Sequence, residues 1–211
     1  MKLSVLLMTC FALLMPAVAG AQQPPANPPA NLAPDQLIKN VSNEVLEIVR
    51  KDKDIQAGNN RKILDLVETK VLPHFNFTHM TQLALARDWR VANPAQQKTL
   101  TDEFRTLLVR TYSKALTEYK NQVIEFKPFS LKNGETDVKV RTQIVQSGAK
   151  PISLDYYLEM LPQGWKVYDI EVSGISLVTN YRDTFASEVR NNGIDGLIAM
   201  LQTKNRSLEP K

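Results

Sequence analysis

The chain has 211 residues with 26 basic and 22 acidic side chains, and its formal net charge is +4 at pH 7. The basic residues alternate with acidic ones and form no concentrated stretch, which argues against a nucleic-acid-binding surface. The single cysteine, Cys10, lies in an N-terminal apolar segment, so the rest of the chain has neither a disulfide nor a thiol nucleophile.

The first 21 residues have the pattern of a secretory signal peptide. Lys2 gives a positive start, residues 3–18 form an apolar run, and the small-residue site Ala19-Gly20-Ala21 follows. The run is shorter than the roughly 20 residues that a membrane-spanning helix needs. We therefore expect export with cleavage before Gln22, and then a disordered, proline-rich lead-in over residues 22–34.

Apolar residues recur at helical spacing through the first half of the chain. A first helix is predicted to begin at Pro34, a second to be capped by Asn60, and a third to begin near Thr78. A fourth, long helix follows Asn93-Pro94-Ala95-Gln96, where a cap, a proline and a glutamine mark a helix start. Its apolar period continues to about Tyr119.

From Val123 onward the apolar period is two, which is typical of strands with one buried face. Four strands are predicted, and turns at Asn133-Gly134, residues 146–150 and Pro162-Gln163-Gly164 join them into an antiparallel meander. Gly174 then interrupts the pattern, as a bulge or a sharp bend would.

Two closing helices are predicted after the last strand. Thr179 or Asn180 can cap the first, and the second starts after Gly193. The first carries an apolar stripe at helical spacing, which we expect to face the preceding strand. This stripe consists of Tyr181, Phe185 and Val189. Helices first, a twisted four-stranded sheet next and helices last predict an α+β protein.

The usual signatures of enzymes and metal sites are weak in this chain. His74 and His79 are the only histidines, and their spacing is poor for a shared metal ion. The segment 174–178 begins like a nucleophile elbow around Ser176 but lacks the closing glycine. Asp169 and Glu171 share a strand face, so a glycosidase-like pair is geometrically conceivable, but a solvated strand face is favoured. The sequence therefore predicts no enzyme and no metal.

The remaining feature is a surplus of apolar and aromatic side chains on the long helix, the sheet and the closing helices. Such a surplus is typical of an ordinary core. It also fits a cavity that holds a hydrophobic ligand, with a few polar groups at its mouth. Periodicity favours an ordinary core but does not exclude a cavity.

Five motifs run in order through the chain between about residues 35 and 204. They are Phe75-x-Phe77-x-x-Met80, Trp89 with Asn93-Pro94-x-Gln96-Gln97, Phe104-x-x-Leu107-Leu108-x-x-Thr111-Tyr112, Trp165-Lys166-Val167-Tyr168-Asp169-Ile170, and Gly174-Ile175-Ser176-Leu177-Val178-x-Asn180-Tyr181-Arg182-x-x-Phe185. In these motifs the chain resembles the MlaC family, also called toluene-tolerance or periplasmic phospholipid-binding proteins. One departure is Ala86, where a glycine is expected in this family; it is expected to affect the bend of the third helix and not the pocket.

The resemblance implies a phospholipid-binding domain over residues 35–204, closed around an apolar pocket, with a flexible tail at 205–211. It implies a non-catalytic, monomeric periplasmic carrier whose bound phospholipid is cargo and which needs no cofactor. Such carriers shuttle lipid between an outer-membrane lipoprotein–porin complex and an inner-membrane ABC transporter, through its MCE-domain subunit, and maintain outer-membrane lipid asymmetry. The alternatives are an envelope adaptor with a solid core and, less favoured, an enzyme that acts on lipids or envelope glycans.

Ten residues are expected to line the pocket that the resemblance implies. They are Phe75, Phe77, Met80, Leu108, Tyr112, Val140, Tyr156, Leu158, Val172 and Leu177. Arg182 is expected either at the pocket mouth or in an ion pair with a nearby carboxylate. The third helix and the closing helices are expected to shift against the sheet when lipid enters or leaves.

Overall fold

A computed structural model describes residues 32–116 and 121–209. The predicted signal peptide, most of the proline-rich lead-in, the predicted helix end at Tyr119 and the last two residues of the predicted tail lie outside these ranges. None of the helices within them combines the length and the apolar character that a bilayer-crossing segment requires.

Five α-helices make up the first half of the described chain. They are α1 (Pro34–Lys51), α2 (Lys53–Gln56), α3 (Asn60–Leu66), α4 (Phe77–Leu85) and α5 (Pro94–Tyr112). Irregular turns join them: a π-helical turn at Val67–Val71 and 3₁₀ turns at Leu72–His74, Ala86–Arg90 and Ser113–Leu116. Four of these helices were predicted, and α2 is a single additional turn that the Asp52 carboxylate caps.

Side-chain caps determine where two of these helices begin. Asn93 and Gln96 form the predicted capping box of α5, in which each side chain accepts a hydrogen bond from the other residue's amide, at 2.9 and 3.0 Å. At α3 the cap is Asn59 and not Asn60, because the Asn59 side chain is the one that accepts from the Lys62 amide.

Helix α5 is shorter than its apolar period predicted. The α-helix has 19 residues and ends at Tyr112, after which the chain tightens into the 3₁₀ turn at Ser113–Leu116. This turn brings Leu116 against the buried side chains of α1 and α3. Tertiary packing therefore ends the α-helix before the apolar pattern ends.

An antiparallel sheet of five strands follows, with the strands side by side in chain order. They are β1 (Val123–Phe126), β2 (Asp137–Val145), β3 (Ile152–Leu161), β4 (Gly164–Val172) and β5 (Ile175–Ser176). The first four are the predicted meander, and β5 adds two residues along the edge of β4. The chain reverses so sharply because Ser173 and Gly174 take positive φ angles of 50° and 84°.

A β-bulge interrupts the pairing of β3 with β4. Tyr157 pairs with Asp169, whereas Leu158 pairs with Val167, so Tyr168 is an extra residue of β4. The extra residue resets the alternation, and apolar side chains on both sides of the bulge face the helices.

Helix α6 (Arg182–Ser207) closes the chain after a 3₁₀ turn at Thr179–Tyr181. Its backbone is non-helical at Gly193, with φ 71° and ψ −176°, so the predicted break between two closing helices is confirmed. The domain end predicted at residue 204 falls inside this helix, and the following residue, Asn205, is buried.

The residue that caps this closing segment differs from the prediction. The Ser176 hydroxyl accepts hydrogen bonds from the amides of Val178 at 3.2 Å and Thr179 at 2.9 Å. Neither the 3₁₀ turn nor α6 has a side-chain cap at Thr179 or Asn180. The cap lies earlier because the 3₁₀ turn, with its own free amides, precedes the α-helix.

The aromatic stripe of α6 packs against α5. The Phe104 ring lies edge-on to Tyr181 and Phe185, with ring centroids 5.3 and 5.2 Å apart. We predicted that this stripe faces the preceding strand, and that prediction is wrong. The inner face of the sheet, which is the face toward the helices, is instead met by α1, α4, α5 and the π-helical turn.

Helix α1 covers the middle of this inner face. Leu37 and Ile38 of α1 pack in one buried cluster with Val140, Leu158 and Val167 of the sheet. Beyond α1, the same face meets the π-helical turn, α4 and the end of α5 without close packing. The order and layering of these elements confirm the α+β class.

Candidate functional site

A cavity of about 310 Å³ lies between the inner face of the sheet and the helices. It is lined by Val67, Val71, Leu72, Phe75, Phe77, Met80, Leu108, Val109, Tyr112, Ser113, Leu116, Leu154, Ile170 and Leu177. Apart from the Ser113 and Tyr112 hydroxyls, the side chains of these lining residues are entirely apolar. Such a lining can hold a hydrophobic molecule and offers almost nothing to a polar one.

The π-helical turn forms one wall of the cavity. Its wider turn points Val67 and Val71 to the same side, where Leu72 joins them. The Thr69 hydroxyl donates to the Asp65 carbonyl at 2.7 Å, so its hydrogen bond is made within the same stretch of chain. Turns of this type are rare and are often found at functional sites.

Two ion pairs hold the outer side of this turn. Lys70 pairs with Glu44 of α1 at 2.5 Å, and Glu68 pairs with Arg105 of α5. Between a third and a half of the surface of each side chain is exposed, so each pair contributes little to stability. The pairs nevertheless connect the π-helical wall to the two helices beside it.

The segment that begins α4 forms a second wall. Phe75 is extended, with φ −113° and ψ 147°, and its backbone bridges Val167 at the edge of β4. The rings of Phe75 and Phe77 stack with centroids 5.8 Å apart, and Met80 follows one helical turn later. The Asn76 side chain caps α4 by accepting from the amide three residues on.

The end of α5 closes the cavity opposite the sheet. Leu108 and Tyr112 are one turn apart and face inward. Burial, together with the neighbouring Tyr181 hydroxyl, raises the pKa of the Tyr112 hydroxyl to about 12. The tyrosine therefore stays neutral at physiological pH, and no charge is introduced into the cavity wall.

Six of the ten residues predicted to line the pocket are brought together in this cavity. They are Phe75, Phe77, Met80, Leu108, Tyr112 and Leu177. Their contact with lipid stays a prediction.

The other four predicted pocket residues lie outside the cavity. Val140 and Leu158 are buried beneath α1, with 1% and 0% of their surface exposed. Tyr156 belongs to the same cluster, and Ser42 of α1 bonds its hydroxyl. Val172 pairs with Leu154 but lies beyond the cavity lining. Strand alternation gives the correct face, but it cannot show how much of that face α1 covers.

Eight lining residues were not predicted. They are Val67, Val71, Leu72, Val109, Ser113, Leu116, Leu154 and Ile170. The alternation of β3 already places Leu154 on the inner face. The π-helical turn and the bulge beside Ile170 carry no comparable signal in the sequence.

Among the described residues, Arg182 neither lines the cavity nor forms an ion pair. Its Nε and Nη2 atoms donate to the Leu83 carbonyl at 3.1 and 2.9 Å. This oxygen belongs to the last turn of α4, where carbonyls lack helical partners. Arg182 therefore joins α6 to α4 and is not among the lining residues, although it was predicted at the pocket mouth or in an ion pair.

Ser176, in the segment that begins like a nucleophile elbow, has a structural role. It donates to the buried Asp169 carboxylate at 2.6 Å and accepts the two amides described above. All of its hydrogen-bonding capacity is therefore used in holding the chain. Within the described ranges, no three His, Cys, Asp or Glu side chains are grouped so that they could hold a metal ion.

An α+β fold with an apolar cavity between sheet and helices is the architecture of a binding protein for hydrophobic molecules. The chain belongs to the MlaC protein family, whose model matches residues 39–203.

Individual relatives agree with this assignment. The toluene tolerance protein ttg2D of Pseudomonas putida is 24% identical over 163 residues, which are 77% of this chain and 75% of that protein. The intermembrane phospholipid transport system binding protein MlaC of Haemophilus influenzae is 26% identical over 158 residues, 71% of this chain and 74% of that protein. The chain is also similar to a solved structure, a phospholipid-binding protein from Ralstonia solanacearum in complex with a phospholipid. The two are 38% identical with a TM-score of 0.76, and the match covers 82% of this chain and 97% of that protein's chain.

Proposed function

We propose that this protein binds a phospholipid by its acyl chains and carries it between the outer and inner membranes of a Gram-negative envelope. The observation that carries this proposal is the cavity lining, in which two hydroxyls are the only polar side-chain groups among fourteen residues. The family and the similar phospholipid-binding protein of known structure support it. Binding and release of lipid, without chemical change, are the whole activity.

The energetics explain why such a carrier is needed. Each acyl methylene left in water costs roughly 0.8 kcal/mol, so a free diacyl lipid almost never crosses an aqueous gap. A cavity that covers the acyl chains removes this cost and leaves the polar headgroup in water. Because none of the described lining residues is charged, we expect the protein to select for the acyl chains more strongly than for the headgroup.

The cavity must widen to accept both chains of a phospholipid. Its volume of about 310 Å³ is at the lower end of the range for drug-sized ligands. The elements that can move apart are the π-helical turn and α4 on one side and the sheet on the other. Helix α6 packs on α5 rather than on the sheet, so the opening is assigned to α4 and the π-helical turn. A disulfide between α4 and β4 that left lipid transfer unchanged would exclude this opening.

We place the protein in the periplasm, where the predicted signal peptide would deliver it. Its protein partners are then the MCE-domain subunit of an inner-membrane ABC transporter and an outer-membrane lipoprotein–porin complex. Exchange with both partners maintains the lipid asymmetry of the outer membrane. The cavity makes the alternative, an adaptor with a solid core, the weaker interpretation.

The test is lipid extraction and mass spectrometry on residues 22–211, exported to the periplasm and purified without detergent. We expect about one phospholipid per chain, with mixed headgroups. Protein that contains no lipid and also takes up none from added phosphatidylglycerol would overturn the proposal, and the adaptor would become the better interpretation.

A further inference from the structure

The wall segment from Leu72 to Met80 presents different side chains to its two sides. Leu72, Phe75, Phe77 and Met80 line the cavity. The residues between them, Asn76 and His79, contact strand β3 and the bulge of β4 outside the cavity. The outer contacts of this segment therefore determine how closely its inner side chains approach the sheet.

The Glu159 carboxylate contacts both of these outer side chains. The Asn76 Nδ2 donates to Glu159 Oε1 at 2.8 Å, and the His79 Nδ1 lies 2.8 Å from the same oxygen. The Glu159 and His79 side chains are only 20% and 28% exposed. Hydrogen bonds to a partly buried carboxylate are among the stronger ones in proteins.

The bulge residue Tyr168 provides a platform for the same contact. Its ring stacks on His79 with centroids 4.4 Å apart, and its hydroxyl donates to Asp137 of β2 at 2.9 Å. Tyr168 is thus held in place at its hydroxyl, and its ring orients the imidazole toward Glu159. The bulge makes this contact possible, because Tyr168, whose ring stacks on His79, is the extra residue that it adds to β4.

The other outer ties of this segment involve its backbone. The Asn76 amide donates to the Val167 carbonyl at 2.8 Å, and Lys166 Nζ donates to the Pro73 carbonyl at 2.6 Å. Both ties lie before the first residue of α4. Among the contacts of the described residues, Glu159 is therefore the hydrogen-bonding group that holds the first turn of α4 to the sheet, beside the stacked Tyr168 ring.

We propose that Glu159 is a positioning residue that keeps the α4 wall closed and so sets the rate at which lipid leaves the cavity. It does not line the cavity and acts through Asn76 and His79. This inference rests on the proposed lipid-carrier function and adds a specific closing contact to it. Loss of the carboxylate frees the first turn of α4 to move away from β4, while the core behind it stays packed.

The test measures release of a phospholipid with a pyrene-labelled acyl chain into excess phosphatidylcholine vesicles by stopped-flow fluorescence. Glu159→Ala removes both side-chain contacts, and we expect release at least about tenfold faster than in the wild type. Glu159→Gln keeps an oxygen that can accept from Asn76, and we expect it to recover much of the wild-type rate.

Glu171→Ala is the matched control. Glu171 is also a partly buried acid on the outer face of the sheet, 25% exposed, but its hydrogen bond and ion pair go to Tyr157 and Lys139 of the sheet and not to α4. We expect its release rate to equal that of the wild type. Equal acceleration by Glu159→Ala and Glu171→Ala would overturn the proposal, because general loosening of the sheet would then explain both.

Two further outcomes separate the inference from the function on which it rests. Wild-type protein that takes up no labelled lipid overturns the lipid-carrier function. Wild-type protein that takes up lipid, with Glu159→Ala releasing it at the wild-type rate, overturns only the role of Glu159. If Glu159→Ala does not fold, His79→Phe keeps a ring on Tyr168 and removes one contact to Glu159, and its release must be faster than wild type for the proposal to stand.

Discussion

The Ser176 hydroxyl donates a hydrogen bond of 2.6 Å to the Asp169 carboxylate. This contact joins β4 to the short segment that places Leu177 in the cavity, where the Leu177 amide also bonds the Ile170 carbonyl at 2.8 Å. The segment 174–178, which begins like a nucleophile elbow, therefore positions a residue that lines the cavity.

The buried Asp169 gives a pH dependence to stability. Burial raises the pKa of this carboxyl above its ordinary value of 3.8, although Ser176 and the Ile170 amide oppose the shift. The folded state therefore holds this proton to higher pH than the unfolded state does. The resulting contribution to stability is full below pH 3.8 and is lost as pH rises through the folded-state pKa.

The measurement compares the wild type with Asp169→Asn, whose side chain does not titrate. The difference in the free energy of unfolding, wild type minus variant, should fall as the pH is raised from 3.8 toward neutrality in urea titrations. A difference that is constant or that rises over this range would show that burial does not raise the pKa of the Asp169 carboxyl.

Ala86 has a backbone conformation that suits glycine. Its φ is 49° and its ψ is −119°, immediately after α4. A side chain in such a conformation costs about 1–3 kcal/mol, which gives a physical reason for the glycine expected at this position. Ala86→Gly should therefore stabilise the protein by about 1 kcal/mol after the entropy cost of glycine is subtracted.

The same substitution two residues earlier provides the control. Ala84 lies within α4 and is 0% exposed, so Ala84→Gly should destabilise by about 1 kcal/mol or more. Thermal unfolding of both variants measures the sign of each change. Destabilisation by Ala86→Gly would contradict the strain at this turn.

Filling the cavity should prevent lipid binding. Leu154 lines the cavity from β3 and is only partly buried, so Leu154→Trp can occupy the space without displacing the core. We expect the amount of co-purified phospholipid to fall at least about tenfold. Ile152→Trp is the control, because Ile152 is two residues earlier on the same strand face, is 44% exposed and does not line the cavity. Equal loss in both variants would argue against binding in this cavity.

The contact between α5 and α6 should carry much of the stability of the helical layer. Phe185 is 1% exposed and meets the Phe104 ring edge-on. Phe185→Ala should cost about 3–5 kcal/mol in the free energy of unfolding. Val189→Ala, one turn later in the same stripe and only partly buried, should cost much less. A small effect of Phe185→Ala would mean that α6 packs more loosely than the structure shows.

The features that local patterns determine were predictable from the sequence. Strand alternation after Val123, the capping box at Asn93 and the break at Gly193 are all properties of a few neighbouring residues, and the structure contains each of them. The resemblance to the MlaC family added the cavity, which periodicity alone could not distinguish from a filled core.

The features that were missed depend on packing between distant segments. Helical spacing shows that Phe185 lies on the apolar face of its helix. It does not show whether this face packs against α5 or against the sheet. Val140 and Leu158 lie on the predicted strand face, yet α1 covers that part of the sheet. The π-helical turn and the bulge at Tyr168 each add a residue to a regular element, which shifts every side chain beyond it.

The central claim is that acyl chains occupy the cavity between α4, the end of α5 and the sheet. The most direct test uses a phospholipid with a diazirine in its acyl chain, irradiated in the complex and mapped by peptide mass spectrometry. We predict labelling within residues 67–80 and 108–116, and none within the solvent-exposed groove of α6, at residues 188–207. Labelling of that groove without labelling of the cavity would show that the acyl chains do not occupy the cavity.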